Sequence, residues 1–397
     1  MATPTVILKP KHAQPFFGRH PWVFAGAVDK VEGKPANGDE VILKASNGTF
    51  LARGLYNDNS KILVRNYGWV EDQPLDAAFF RAKIARAIGL RHDVLHLNTG
   101  PKAAYRVISS EADGLSGLTV DRYAEWLTVQ FTSLALANRK EMFAEILREL
   151  LTPQGIYVRT EKGIGKLEGL ELHDGLLWGV QPPTDLTIEE NGLRFRVDLT
   201  EGQKTGYYLD QRDNRVAVAK MAAGKRVLDA FSYSGGFGLY CAKAGATSVE
   251  CVDASESALK LAEANAVANG LSTLEFTQGD VFAYLAQLVA DKKTFDILIL
   301  DPPKFARNRA ALPDAIRGYK RLHQLAMKLL APDGILVTCC CTGLIVMDEL
   351  IELIGQIAVE SKRDLQILER RGPAADHPVS ANCLEGSYLK CIISRVG

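Results

Sequence analysis

The spacing of apolar and polar positions changes three times along the 397 residues. Up to about residue 70, short β-rich runs (VILK, TFLARGLY, KILVRNY) alternate with turn clusters, Ala36-Asn-Gly-Asp39 and Ser46-Asn-Gly48. That texture predicts a small β-barrel or sandwich. From Leu75 to Val94 the apolar residues fall at helical spacing, which predicts a connecting helix. Between Ala103 and Gln181, strand-like pieces (AYRVISS, LTVDRY, WLTVQFTS) precede a helix at Ala137–Leu151, and GIYVRT and LLWGVQ follow, a second α+β unit. From about residue 190 strands and helices alternate. Lys225–Ala230 leads through a glycine-rich loop to a short helix ending near Gly245. Ser248–Asp253 is followed by a helix to Gly270, then LEFTQGD and another helix, then FDILILD, a helical stretch through Lys328, and GILVTCCC. This spacing predicts a doubly wound parallel sheet. LQILERR and SYLKCIISRV lack an intervening helix and predict an antiparallel pair at one sheet edge. The expected division is 1–72, a connecting helix at 73–98, a central α+β domain at 99–190, and an α/β domain at 191–397.

Composition narrows the setting. Apolar residues make up 47% of the chain, enough for well-buried cores. No apolar run approaches the roughly 20 residues of a membrane helix. The opening MATPTVILKPKHAQ lacks the pattern of a secretory signal, so a cytoplasmic protein with no membrane association is expected. The formal net charge is zero, and residues 1–70 carry nine Lys/Arg against five Asp/Glu, so any nucleic-acid footprint must be local. Seven cysteines without a Cys-x-x-Cys pair argue against a disulfide framework and against zinc, and no metal is expected.

The candidate chemistry sits where such a sheet binds ligands, beyond the carboxyl ends of its strands. Asp229-Ala-Phe-Ser-Tyr-Ser-Gly-Gly-Phe-Gly238 follows the first strand, with glycines at 235, 236 and 238 rather than in G-x-G-x-x-G spacing. A loop receiving a small zwitterion fits better than a pyrophosphate turn. Asp253 closes the second strand, where a carboxylate can accept from both hydroxyls of a ribose. Asp280, after the third, can receive an adenine amino group, with Val281 and Phe282 against the ring. Glycine turns and strand-end acids also occur in any α/β protein. Here three stand in strand order ahead of Asp301-Pro-Pro-Lys-Phe305, whose prolines force a stiff turn after the fourth strand.

DAFSYSGGFG, VDAS, GDVF and DPPKF together resemble the successive motifs of class I S-adenosylmethionine-dependent methyltransferases. Arg19-His-Pro-Trp-Val-Phe24, Lys204-Thr-Gly-Tyr-Tyr-Leu-Asp-Gln-Arg212 and Ala375-Asp-His-Pro378 extend the resemblance along the chain. The family they resemble is the bacterial 23S ribosomal RNA cytosine-5 methyltransferases that carry an N-terminal PUA domain. The resemblance implies a PUA domain, a central α+β domain and a Rossmann-like catalytic domain. It implies S-adenosylmethionine among Phe231, Tyr233, Gly235, Asp253, Asp280 and Gln211, with Asp229, Ser234, Gly236, Ala254 and Val281 in the same loops. Arg212 is read equally well as a structural ion pair. The implied partner is 23S ribosomal RNA, and a homodimer is among the states the sequence allows.

The three adjacent thiols Cys339, Cys340 and Cys341 could be a metal site, a disulfide, packing or a nucleophile. Strand alternation would point Cys339 and Cys341 one way and Cys340 the other. The family's Ser-Cys-Ser-Gly-Leu motif matches Cys340-Cys341-Thr342-Gly343-Leu344, which makes Cys341 the nucleophile candidate and its neighbours packing. C5 of cytosine is a poor nucleophile until a thiolate adds to C6. Asp301 is the implied contact to N3 and the amino group of the base. Lys304 is the candidate phosphate contact and His377 a substrate contact, against the plainer readings of a solvated lysine and a turn histidine. Three rival readings stand beside this one: exocyclic N-methylation of RNA, which needs no thiol, a nicotinamide oxidoreductase, and a noncatalytic RNA-binding factor.

Overall fold

The computed structural model describes residues 3–160, 163–200, 206–306 and 308–397, so Lys204 and Thr205 of the upstream motif lie outside the described residues. The chain packs into two units. The first holds Met1–Glu189, Val197–Leu209 and Ala375–Gly386, and the second holds Glu190–Arg196, Asp210–Ala374 and Ser387–Gly397.

In the first unit the N-terminal strands form one six-stranded sheet around Val6, Leu8, Val23, Val41, Leu43 and Val64. A five-stranded sheet follows, and the helices Ala77–Gly89 and Lys140–Leu151 belong to its core. The predicted helix from Leu75 to Val94 is α-helical only to Gly89 and finishes as a π-helical turn, Leu90–Val94. The helix predicted at Ala137–Leu151 is split, with Leu134–Ala137 preceding Lys140–Leu151. Leu55 and Tyr67 of the N-terminal sheet are buried in the same core as the five-stranded sheet. Arg65 pairs with Glu168 at 2.9 Å. The N-terminal strands are thus built into this unit rather than hung from it.

The second unit is a seven-stranded sheet: β1 (Arg226–Ala230), β2 (Ser248–Asp253), β3 (Leu274–Gln278), β4 (Phe295–Leu300), β5 (Leu330–Cys340), β6 (Leu365–Arg371) and β7 (Lys390–Val396). Its order is β3-β2-β1-β4-β5-β7-β6. β1 to β5 are parallel, while β7 runs antiparallel to both β5 and β6. The expected antiparallel pair therefore closes one edge. Between β5 and β6 lies a helix that the apolar pattern had not been read to contain, Met347–Glu360. Its buried Leu350, Leu353, Ile354, Ile357 and Ala358 carry the helical period plainly.

The parallel strands are buried on both faces, so they read as continuous apolar runs. Leu228, Ala230, Leu298, Leu300, Leu336 and Cys340 face the core that holds the helices Val281–Ala290, Leu312–Leu329 and Met347–Glu360. Val227, Ile297, Ile299, Val337, Cys339 and Cys391 face the core shared with Arg212–Ala219 and Gly236–Lys243. Cys339 and Cys340 thus point to opposite faces. β5 ends at Cys340, so alternation does not set the direction of Cys341. Strand order reverses between β1 and β4, where the carboxyl ends leave a crevice.

Candidate active site

The loop after β1 is held in an unusual conformation. Phe231 has φ 63° and Tyr233 φ 48°, left-handed values that cost a side-chain-bearing residue on the order of 1–3 kcal/mol each. Local hydrogen bonds hold it: Ser232 N donates to Val252 O at 3.1 Å, and Gly235 N to Ser232 O at 2.8 Å. Tyr233 N donates to Asp253 Oδ2 at 2.9 Å, and Ser255 N to Asp253 Oδ1 at 2.9 Å. Both oxygens of Asp253 are thereby aimed by backbone donors, and each keeps a lone pair for a ligand. At Gly238 a Cβ would stand 2.6 Å from Cys251 Sγ and 3.2 Å from Asp229 Oδ2, so only glycine lets the helix start this close to β1.

Asp229 is the electrostatic centre of this loop. Its carboxyl is 1% exposed. Oδ2 accepts from Gly238 N at 2.8 Å, whereas Oδ1 has no partner among the described residues. Burial pushes the group up to about 7, and the N–H of Gly238 only partly opposes this; Asp301 and Asp253 push the same way, and Arg215 opposes them. Ser232 and Ser234 are likewise buried, with Oγ atoms that find no partner among the described residues. Three orphaned polar atoms in one strained loop is the condition expected of a site shaped for a polar ligand. They fit a zwitterionic amino-acid group, whose ammonium would answer Asp229.

The remaining predicted cofactor residues fall around the same crevice with varied roles. Asp280 is exposed, and its Oδ1 caps the helix Val281–Ala290 by accepting from Ala283 N at 2.9 Å. Val281 is buried in the core, and the half-buried Phe282 meets Phe231 edge to face at 6.4 Å. Ala254 is exposed at the end of β2, while Ser234, Gly235 and Gly236 are buried in the loop.

The turn after β4 lies beside it. Asp301 N donates to Ala230 O at 3.4 Å, tying the turn to β1. Gln211 is 2% exposed and donates from Nε2 to Asp301 Oδ2 at 3.0 Å, while its Oε1 accepts from Asn214 at 2.6 Å. Gln211 is therefore a support of Asp301. Asn214 is a residue that sequence reading missed, although it lies one helical turn after Gln211. Arg212 pairs with Asp213 at 3.2 Å. All seven cysteines are described, and Cys341 alone is not buried. Its Sγ lies 3.9 Å from the carbonyl of Pro302. Cys339 is held well above the ordinary thiol range, first by its hydrogen bond to Cys391 and then by burial.

Lys304 is exposed beside Asp301. His377 belongs to the first unit, where its ring is buried against Asp376 with Nδ1 and Oδ1 3.1 Å apart. Asp376 accepts from Arg106 N at 2.9 Å, and its carbonyl accepts from the fully buried Arg91 at 2.7 Å. The Ala-Asp-His-Pro stretch thus staples a loop to the central sheet. Among the described residues one group, His20, Cys383 and Glu385, brings three metal-ligating atoms within 4.8 Å of one another. His20 Nδ1 accepts from Trp22 N at 3.2 Å, so the neutral ring carries its proton on Nε2, facing Glu385 at 3.5 Å. That is a hydrogen-bonding arrangement rather than a ligand set.

Comparison with known proteins agrees with this geometry. Residues 176–383 match the model of S-adenosylmethionine-dependent methyltransferases, and residues 6–69 that of PUA-like domains. The chain is 43% identical to ribosomal RNA large subunit methyltransferase I of Shewanella amazonensis, over 98% of each chain. It belongs to the ribosomal RNA large subunit methyltransferase I family. The protein of that name from Aeromonas salmonicida is 42% identical over 95% of each chain. A methyltransferase-like chain solved with SAH shares the fold, with TM-score 0.85 at 21% identity, covering 98% of this chain and 99% of that one. The family places a class I methyltransferase fold behind a PUA-like N-terminus, and its cofactor is S-adenosylmethionine. The seven-stranded sheet is the body of that fold.

Proposed function

We propose that the chain methylates C5 of a cytosine in large-subunit (23S) ribosomal RNA through a covalent bond between Cys341 and C6 of the base. The observation that carries this reading is the contrast among the seven thiols: six are buried, while Cys341 emerges just past the end of β5 beside the Asp301 turn. A nucleophile has to meet its substrate, and a buried thiol cannot. The ribosomal RNA substrate follows the relatives' name.

The chemistry can be written on this chain's own residues. The Sγ electron pair forms a bond to C6, and the C5=C6 electrons move onto C5. Asp301, anchored by Gln211, contacts N3 and the amino group, holding the ring in place as density builds. When bound, S-adenosylmethionine would supply the methyl group to the C5 electron pair, the S–CH3 bond pair staying on its sulfur so that SAH is the leaving group. Water then removes the C5 proton, the C–H electrons restore C5=C6, and the C6–S bond breaks with its pair returning to Cys341. Asp229, Phe231, Tyr233, Ser234, Gly235, Gly236, Asp253, Ala254, Asp280 and Val281 are assigned to the cofactor side, Lys304 to RNA phosphate, and residues 1–72 to RNA binding. The burial of His377 supports a structural part for it, not a substrate contact.

Cys341→Ala provides the test. Methyl transfer to ribosomal RNA should disappear while SAH binding persists. A variant that still methylates at full rate would remove the covalent route and favour methylation of an exocyclic nitrogen.

A further inference from the structure

Lys390 opens β7, directly across the ladder from Cys340, the last residue of β5. Its side chain is buried, at 4% exposure. Nζ donates to the carbonyl of Thr342 at 2.7 Å and to that of Tyr388 at 3.1 Å. Thr342 immediately follows Cys341, so the first of these bonds fixes the ammonium on the carbonyl of the residue next to the thiol. Two of three N–H donors are spent on carbonyls, and among the described residues Nζ makes no ion pair. A buried ammonium without a carboxylate is costly. Burial accordingly draws Lys390 below the ordinary lysine range. The groups that offset this are the thiols of Cys340 and Cys341, followed by Glu349, while Lys304 works against it. The Cys340 side is closed by Tyr319, which is buried, faces both thiols and is held well above the ordinary phenol range by that burial. Only Cys341 has a route to solvent.

We propose that Lys390 is a positioning residue for methyl transfer, serving as the built-in counter-ion of the Cys341 thiolate. This rests on Cys341 being the nucleophile. The thiol gives its proton to water, Lys390 keeps its own, and the resulting anion lies beside a fixed positive charge instead of bare apolar surroundings. The same charge serves the last step, because the C6–S bond pair returns to a sulfur already stabilised as an anion. The Asp301-Pro-Pro-Lys-Phe305 turn carries no second cysteine to assist that release, so the lysine supplies help that the turn cannot.

The test measures the thiol without RNA, which separates it from the Cys341→Ala experiment. Iodoacetamide labelling of Cys341, followed by peptide mass across pH 5.5 to 9.5, should slow about tenfold at pH 7 in Lys390→Met, one unit of thiol ionisation. Its midpoint should move up, and Lys390→Arg should restore most of the rate. A purely structural lysine would lower methylation in Lys390→Met without moving the labelling midpoint, and that result would overturn the proposal. Should Lys390→Met not fold, the reciprocal measurement keeps the lysine. The ¹⁵N titration of Lys390 should move to lower pH in Cys341→Ser than in the unaltered chain, because coupling between two sites is mutual. An unmoved titration would overturn it equally. If Cys341→Ala methylates normally while both titrations shift as expected, the charge coupling between Lys390 and Cys341 is real, but its part in methyl transfer is overturned together with the covalent route.

Discussion

Replacing Asp229 by asparagine should make the apo chain more stable and its cofactor binding weaker, by opposite and separable amounts. Asparagine keeps the shape, and its side-chain oxygen can still accept from Gly238 N. What it removes is a carboxyl that burial has pushed up to about 7 from an ordinary value near 3.9. The folded chain therefore holds this proton more tightly than the unfolded one. Its contribution is fully present below about pH 4 and is lost as pH rises through about 7. Over the window from pH 5.5 to 8 the loss is about 2 kcal/mol, taking 1.4 kcal/mol per unit. The asparagine side chain does not ionise, so Asp229→Asn should gain about that much on the parent between the two pH values. For a unit of this size that is roughly 4–8 °C in Tm, read by calorimetry at pH 5.5 and 8. The binding effect has the other sign. If Asp229 faces the ammonium of S-adenosylmethionine, losing one charge-assisted hydrogen bond costs about 1.5–3 kcal/mol, so SAH should bind roughly ten- to a hundredfold more weakly by titration calorimetry at pH 8. A stability difference independent of pH would refute the buried-carboxyl argument. Unchanged SAH affinity would refute the ammonium assignment.

Gly238→Ala should also weaken SAH binding, because its Cβ meets Cys251 and the carboxylate that the site depends on; overpacking of this kind costs about 1–3 kcal/mol, visible in the same calorimetry. Cys340→Ala should lower stability by about 1 kcal/mol in chemical denaturation and leave the methylation rate within a few-fold, since that thiol is packing. Gln211→Ala should leave SAH affinity nearly intact and reduce kcat, because Asp301 loses its anchor; a fall in SAH affinity alone would reassign Gln211 to the cofactor. Deleting residues 1–70 is not a clean test of RNA binding, because Leu55, Tyr67 and Arg65 are built into the rest of their unit. The paired change Lys11→Glu and Arg19→Glu, both at exposed positions, should instead weaken ribosomal RNA binding and flatten its salt dependence by about two charges, measured by filter binding at several salt concentrations.

The strand-helix alternation from residue 225 onward was legible because parallel strands buried on both faces leave continuous apolar runs bounded by helices. The acids at strand ends were legible for a related reason: topology sends every such loop to the same sheet edge. Local pattern alone could not rank the residues there. Asp229 and Asp253 look alike as letters, yet one is sealed with an orphaned oxygen and the other is half-open with both oxygens aimed by backbone amides. Burial of a carboxyl depends on helices distant in sequence. Gln211, placed with the cofactor by resemblance, was bonded to Asp301 ninety residues later only through the fold. The three cysteines divide in the same way. Their period on the strand already separated Cys339 from Cys340. That β5 ends at Cys340, leaving Cys341 alone accessible, required the pairing of β5 with β7. The same pairing sets Lys390 opposite Cys340, with its ammonium on the carbonyl of Thr342. Sequence by itself determined the elements, their order and the loops that hold the chemistry, since these follow from local periodicity. Only the tertiary structure decided which side chains are desolvated, because desolvation is set by what packs against a residue and not by its neighbours along the chain.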